Sequence, residues 1–256
     1  MTQPVERRTE AESDDVRPPW LADVRARAGT ARLVGLAEGG ALLVEGAIFY
    51  PTGGGQPGDS GWLEWHGGRL AIKDTRKAEG NRVWLMPDAG TEASESLPEP
   101  GTELQLELDW PRRWGHMRVH TALHLLSVVL PFPVTGGQIG EAKGRLDFDM
   151  EASPADKESL AAALNDLVAR DLPVSESWIT DAELAANPSL VKTMSVQPPV
   201  GQGRVRLVRI GQGNGQVDLQ PCGGTHVART GEIGALRLGK IEKKGRQNRR
   251  VTLYLA

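Results

Sequence analysis

The 256-residue sequence contains a single cysteine, Cys222, followed four positions later by His226 in the run PCGGTHVARTGEIG (221–234). A lone cysteine has no intramolecular disulfide partner, so its neighbours decide its chemistry. His120 and His124 repeat the same spacing, with Cys222 98 positions after His124. On a helix, residues i and i+4 lie on one face, one turn apart, where two imidazoles can chelate one ion. Thiolate plus imidazole suits Zn2+. The two pairs together predict a zinc site of His120, His124, Cys222 and His226, one ion per chain.

Other readings compete for these residues. His116 also stands four before His120, so helical spacing alone allows a 116/120 pair. The 120/124 pair is preferred because His124 lies in the apolar part of its segment, where an unpartnered imidazole is costly. Cys222 and His226 on a Gly-Gly turn could form a nucleophilic pair, but that scheme leaves His120 and His124 unexplained. A merely buried Cys222 is the plainest alternative. Four protein ligands also close a tetrahedral zinc, which is the pattern of structural sites, whereas a catalytic zinc keeps a position open. Either one ligand is weak, or the shell expands, or the metal organises a pocket without activating water.

The elements that must position these residues are legible in part. Hydrophobic residues make up 39% of the chain, enough for a sizeable core. One cysteine, no apolar leader in MTQPVERRTEAESDD and no apolar run near bilayer length point to a soluble cytoplasmic protein without membrane contact. Residues 1–20 read as a polar, flexible tail. Residues 21–108 carry short alternating segments, ALLVEGAIFY (41–50), GWLEW (61–65), RLAIK (69–73), RVWLM (82–86) and ELQLELDW (103–110), separated by glycine-rich turns, as in a small barrel. Residues 87–102 read as a loop.

A helix is predicted from Asp109 as cap, with Pro111 in its first turn, to Pro131. A second starts at Ser153-Pro154 and carries Leu160, Leu164, Leu167 and Val168 at amphipathic spacing. A third begins at Thr180, with Glu183 completing a capping box. Strand patterns follow at 204–210, 215–219, 234–241 and 250–256. The fold class is α+β, a small β domain before a mixed domain at 109–256.

Two further stretches stand out. FYPTGGGQPGDSG (49–61) lets the backbone approach another surface closely, yet an ordinary loop explains it equally, and it lacks the GK[ST] of a Walker A loop. Residues 192–256 hold 12 Lys and Arg against 3 acids, a net of +9, which leaves −12 for residues 1–191 of the overall −3. The cluster KIEKKGRQNRR (240–250) can meet a phosphate backbone or form a solvated strand pair.

HTALHLL (120–126) with CGGTHV (222–227) resembles the zinc signature of the alanyl-tRNA synthetase editing domain. GRLDFDM (144–150), TGEIGALRLGKIEKKGRQNRRV (230–251) and the glycine-rich 49–61 stretch are similar to the same family. The resemblance spans roughly 31–256 and points to AlaX, the freestanding alanyl-tRNA editing proteins, of medium length, since the sequence has no room for an aminoacylation domain. It implies a translation-type β-barrel followed by the editing domain shared with threonyl-tRNA synthetase. It also implies hydrolysis of Ser-tRNA(Ala), and of Gly-tRNA(Ala), at the aminoacyl ester of the tRNA 3′ end. The alternative is a nonenzymatic, zinc-stabilised tRNA-binding module; a zinc peptidase is disfavoured by the missing HExxH glutamate.

Carried over by position, His120, His124, Cys222 and His226 match the family's metal ligands. Thr121 and Gln138 match polar groups near its pocket, and Gly53, Gly54, Gly55 and Gln56 its glycine motif. Lys240, Lys243, Lys244, Arg246, Arg249 and Arg250 would meet the acceptor stem. Glu141 stands where a small residue is common in the family, a departure that bears on the shape of the loop after Gln138.

Overall fold

The computed structural model describes residues 17–88, 97–152, 156–193 and 203–256. A helical turn, α1 (Pro19–Ala22), precedes six antiparallel strands: β1 (Ala28–Leu36), β2 (Leu42–Glu45), β3 (Gly61–Trp65), β4 (Gly68–Lys77), β5 (Arg82–Pro87) and β6 (Glu103–Leu108). They close into a barrel in the order β1-β2-β5-β4-β3-β6. Alternation drives this closure: β6 reads exposed-buried throughout, and its Leu104, Leu106 and Leu108 point inward with Leu33, Leu42, Leu63, Leu70 and Leu85. Each such side chain contributes about 1.5–3 kcal/mol by leaving water, and closure leaves no open edge.

Trp20 and Leu21 of α1 pack into the barrel core, so ordered structure begins inside the span expected to be a tail to residue 20. Burial of an indole and an isobutyl group side by side offsets the cost of ordering the short segment in part. Residues 1–16 of that expected tail, and 89–96 of the expected loop, lie outside the described residues. The 41–50 stretch also departs from a single strand: β2 ends at Glu45, and Gly46 takes φ +82°, which turns the chain toward the glycine-rich loop.

The second part is built on α2 (Trp110–Val129). Asp109 caps it by accepting from Arg112 N–H at 3.3 Å, as expected. Next come β7 (Val134–Ile139), β8 (Lys143–Asp149), α3 (Lys157–Ala169), β9 (Val174–Thr180), α4 (Asp181–Ala186), β10 (Arg204–Ile210), β11 (Asp218–Pro221), β12 (Leu236–Lys243) and β13 (Asn248–Leu255). Two antiparallel sheets form, β12-β13-β8-β7 and β11-β10-β9. α2 and α3 pack together, and their Met117, Leu125, Leu126 and Leu164 meet Phe148, Val251 and Leu253 in one core. The α+β reading holds. α3 is capped by Asp156, which accepts from Ser159 N–H at 3.1 Å; the expected start at Ser153-Pro154 lies outside the described residues. The capping box of Thr180 and Glu183 is present in both directions. Of the 215–219 stretch, Gly215 ends a 3-10 turn that starts at Gly213, and the strand begins only at Asp218.

The two parts are joined by a buried ion pair. Arg113 of α2 meets Asp59 of the 49–61 loop, both 1% exposed, and donates to the carbonyls of Val24 and Ile48 at 3.0 Å each. Asp59 also accepts from Tyr50 N–H at 2.6 Å. Among the described residues, no helix is long and apolar enough to cross a membrane.

Candidate metal centre

α2 brings His120 and His124 to one face of the helix, and the turn after β11 supplies Cys222 and His226. The four ligand atoms lie within 4.8 Å of one another. Cys222 Sγ stands 3.4 Å from His120 Nε2 and 3.3 Å from His226 Nε2. A tetrahedral ion at about 2.3 Å from sulfur and about 2.0–2.1 Å from nitrogen holds S and N about 3.5 Å apart, so these separations fit a shared ion.

The outer faces of the rings are engaged by oxygen acceptors. Gln56 fixes its amide on Thr225, donating from Nε2 to Oγ1 at 2.9 Å and accepting from N–H at 3.1 Å; the same Oε1 therefore accepts from His120 Nδ1 at 3.1 Å. Thr121 donates its hydroxyl to Met117 O at 2.9 Å, which leaves it to accept from His226 Nδ1 at 3.1 Å. Asp218 accepts from His124 Nδ1 at 2.9 Å and from Gln220 Nε2 at 2.8 Å. With each Nδ1 directed outward to an oxygen, each ring turns its Nε2 to the cluster. Outer partners of this kind fix tautomer and orientation in metal-binding histidines.

The electrostatics agree. Burial alone would push the Cys222 thiol up, but His120 and His226 hold it well below the usual thiol range. Burial would lower His124, but the hydrogen bonds of Asp218 and Cys222 raise it to about 9. His226 is pushed well below its ordinary value by burial and by His120. A thiolate and a carboxylate thus draw positive charge to a spot ringed by imidazole nitrogens, which is what a divalent cation supplies. The donor set fits zinc.

The turn carrying Cys222 and His226 is pinned by Arg206, which donates to Cys222 O at 3.0 Å and Gly224 O at 2.8 Å while pairing with Glu176. Gly224 is required by space: a Cβ there would stand 2.2 Å from His120 Cε1. Gly223 differs, with nothing within 4 Å of its would-be Cβ, and it faces a cavity of about 390 Å3. Cys222, His120 and His124 form part of the cavity wall, with Leu123, Ile139, Leu146 and Val191 as apolar lining.

The remaining expected site residues separate. Gly53 and Gly54 line the cavity. Gly55, at φ +84°, lies against β7, where Ile139 N–H donates to Gly55 O at 2.9 Å. Gln56 is 1% exposed and Thr121 fully buried, so both stand behind the histidines. Gln138 lines the cavity, exposed, its Oε1 accepting from Arg145 Nε at 3.2 Å. Lys240, Lys243, Lys244 and Arg246 are exposed, with Lys244 paired to Glu242. Arg249 is buried and donates to Gly245 O in the β12–β13 hairpin, and Arg250 pairs with Asp147 of β8 at 2.7 Å, across the β13–β8 pair. Glu141 pairs with Arg112, and its carbonyl packs on Gly115. His116 is buried and apart from the cluster. Asp218, Gln220 and Lys192 were not singled out from the sequence. Only the position of Asp218 and Gln220, in the strand entering Cys222, could have flagged two of them.

Residues 205–252 match the threonyl and alanyl tRNA synthetase second additional domain, which places the chain among proteins carrying that module. The chain is 31% identical over 230 residues to the alanyl-tRNA editing protein AlaX-M of Methanosarcina mazei, covering 86% of this chain and 88% of that protein. It is 33% identical over 224 residues to AlaX-M of Methanosarcina barkeri, covering 84% and 88%. It is also 29% identical to the alanine–tRNA ligase of Caldivirga maquilingensis over 92% of this chain, but only 27% of that ligase. The chain belongs to the AlaX family of alanyl-tRNA editing proteins.

Proposed function

We propose that this protein hydrolyses the aminoacyl ester of tRNA(Ala) wrongly charged with serine, and with glycine, at a zinc held by His120, His124, Cys222 and His226. The observation that carries the reading is the cavity whose wall includes three of these ligands, each histidine locked from outside. A synthetic site sized for alanine admits glycine, and an added hydroxyl is rejected poorly by a small pocket, so a second hydrolytic site is needed.

When bound, zinc supplies a positive centre in the cavity wall. Around it Gln56, Thr121 and Asp218 orient the ligands. Gly53 and Gly54 leave backbone open to a terminal nucleotide, Gln138 offers a polar group, and Leu123, Ile139 and Leu146 exclude bulk water. Exposed Lys240, Lys243 and Arg246 meet the tRNA backbone, where such contacts position rather than specify. The division proposed between a translation-type barrel at 21–108 and an editing domain at 109–256 puts the glycine loop of the first on the metal centre of the second.

The four-donor set also favours a second reading, a tRNA-binding module with a purely structural zinc. Deacylation separates the two. The purified chain is expected to release serine and glycine from tRNA(Ala) and to spare Ala-tRNA(Ala); failure to turn over either mischarged species, with tRNA still bound, selects the module.

A further inference from the structure

Asp218 is a carboxylate with no exposed side-chain surface, and its two oxygens are divided between partners. Oδ2 serves His124 and Gln220; Oδ1 is held by Lys192 Nζ at 2.5 Å. Lys192 comes from a different segment, 26 positions earlier, and its side chain is 30% exposed in the wall of the cavity. Its carbonyl accepts from Val134 N–H at 3.0 Å, which ties this segment to β7. A buried carboxylate deprived of its cation has an unpaired oxygen and an uncompensated charge. It then turns away from Nδ1 toward another donor, and the ring loses the contact that orients it.

We propose that Lys192 is a positioning residue for the metal ligand His124: by matching the charge of Asp218 it keeps that carboxylate oriented on Nδ1 and Nε2 turned to the ion. The proposal rests on the zinc reading of the cluster and extends it to an outer residue. It also explains the mixed character of Lys192, which reaches the cavity yet spends its contact on the wall behind the ligand. With zinc, the thiolate, Asp218 and Lys192 in place, the centre keeps one net positive charge beside the ester.

The test is zinc affinity of the full chain by chelator competition, with the visible spectrum of the cobalt-substituted protein as a second readout. Lys192→Met is expected to lose about 10- to 100-fold in zinc affinity, the range for an outer partner of a ligand. Lys192→Arg, which keeps the charge, restores most of it. Asp218→Asn loses a similar amount, and the double variant Lys192→Met with Asp218→Asn loses no more than the larger single loss. Should Lys192→Met not fold, the same cycle is run with Lys192→Gln. Wild-type affinity and an unchanged cobalt spectrum in the neutral variant overturn the proposal, as do fully additive losses. A wild-type chain that binds zinc without deacylating tRNA defeats the proposed function and leaves this inference standing.

Discussion

The N-terminal half of α2 buries Arg113 and His116; the C-terminal half buries His120 and His124. Arg113 is fully paired, with Asp59 and two carbonyls, and it fastens the helix to the barrel. His116 has a buried Nδ1 with no partner among the described residues, and burial, with Arg112 and Arg113 nearby, lowers it to about 4. One turn on, His120 donates its Nδ1 to Gln56, and one turn further His124 donates to Asp218 and is raised to about 9. The helix and the side-chain type are the same. What differs is whether an oxygen from another segment takes the outer nitrogen. A buried imidazole becomes a ligand when the rest of the fold fixes its tautomer, and stays a neutral packing group when it does not.

The largest way to break this comparison is at the fastening end. Asp59→Asn leaves Arg113 buried and uncompensated, and is expected to cost about 3–5 kcal/mol in urea unfolding. It should also lower zinc affinity, because Asp59 and Gln56 share one loop. A loss confined to stability would separate the two halves of the helix.

Next is acid sensitivity. His116 is held at about 4 in the fold against an ordinary 6.5, so between those values the unfolded chain binds more protons. Its contribution is complete above pH 6.5 and is lost as pH falls toward 4, roughly 3 kcal/mol in all. His116→Leu removes this titration, so unfolding measured across that window should show a shallower acid slope than wild type. Equal slopes would mean that His116 is protonated freely in the fold.

The smallest effect sharpens the ligand end. Gly224→Ala places a methyl 2.2 Å from His120 Cε1 and 2.9 Å from Gln56 Oε1, with an expected cost of about 1–3 kcal/mol and weakened zinc binding. Gly223→Ala, with open space at its Cβ, should leave both nearly unchanged. Equal effects at the two glycines would refute the steric account.

The donor set was legible because its spacing repeats on two segments, and α2 because Asp109, Pro111 and Pro131 punctuate it. The barrel strands showed through alternation, as in ELQLEL. Less legible were β7, whose VTGGQI lacks an apolar face, and β9, whose VSESWIT buries no residue fully. Gln56 and Thr121 could be tied to the site by resemblance, but their placement behind the rings depends on tertiary contacts 64 and 105 positions apart. The same holds for Arg249 and Arg250. In sequence they belong to a basic run, and only the hairpin and Asp147 reveal that their charge is already used.

The most direct measurement is the rate of Ser-tRNA(Ala) deacylation by the full chain as zinc is stripped with a chelator and then returned. The account predicts one zinc per chain, loss of turnover to the uncatalysed rate on removal, and recovery when one equivalent is restored. Undiminished deacylation by verified metal-free protein would contradict it.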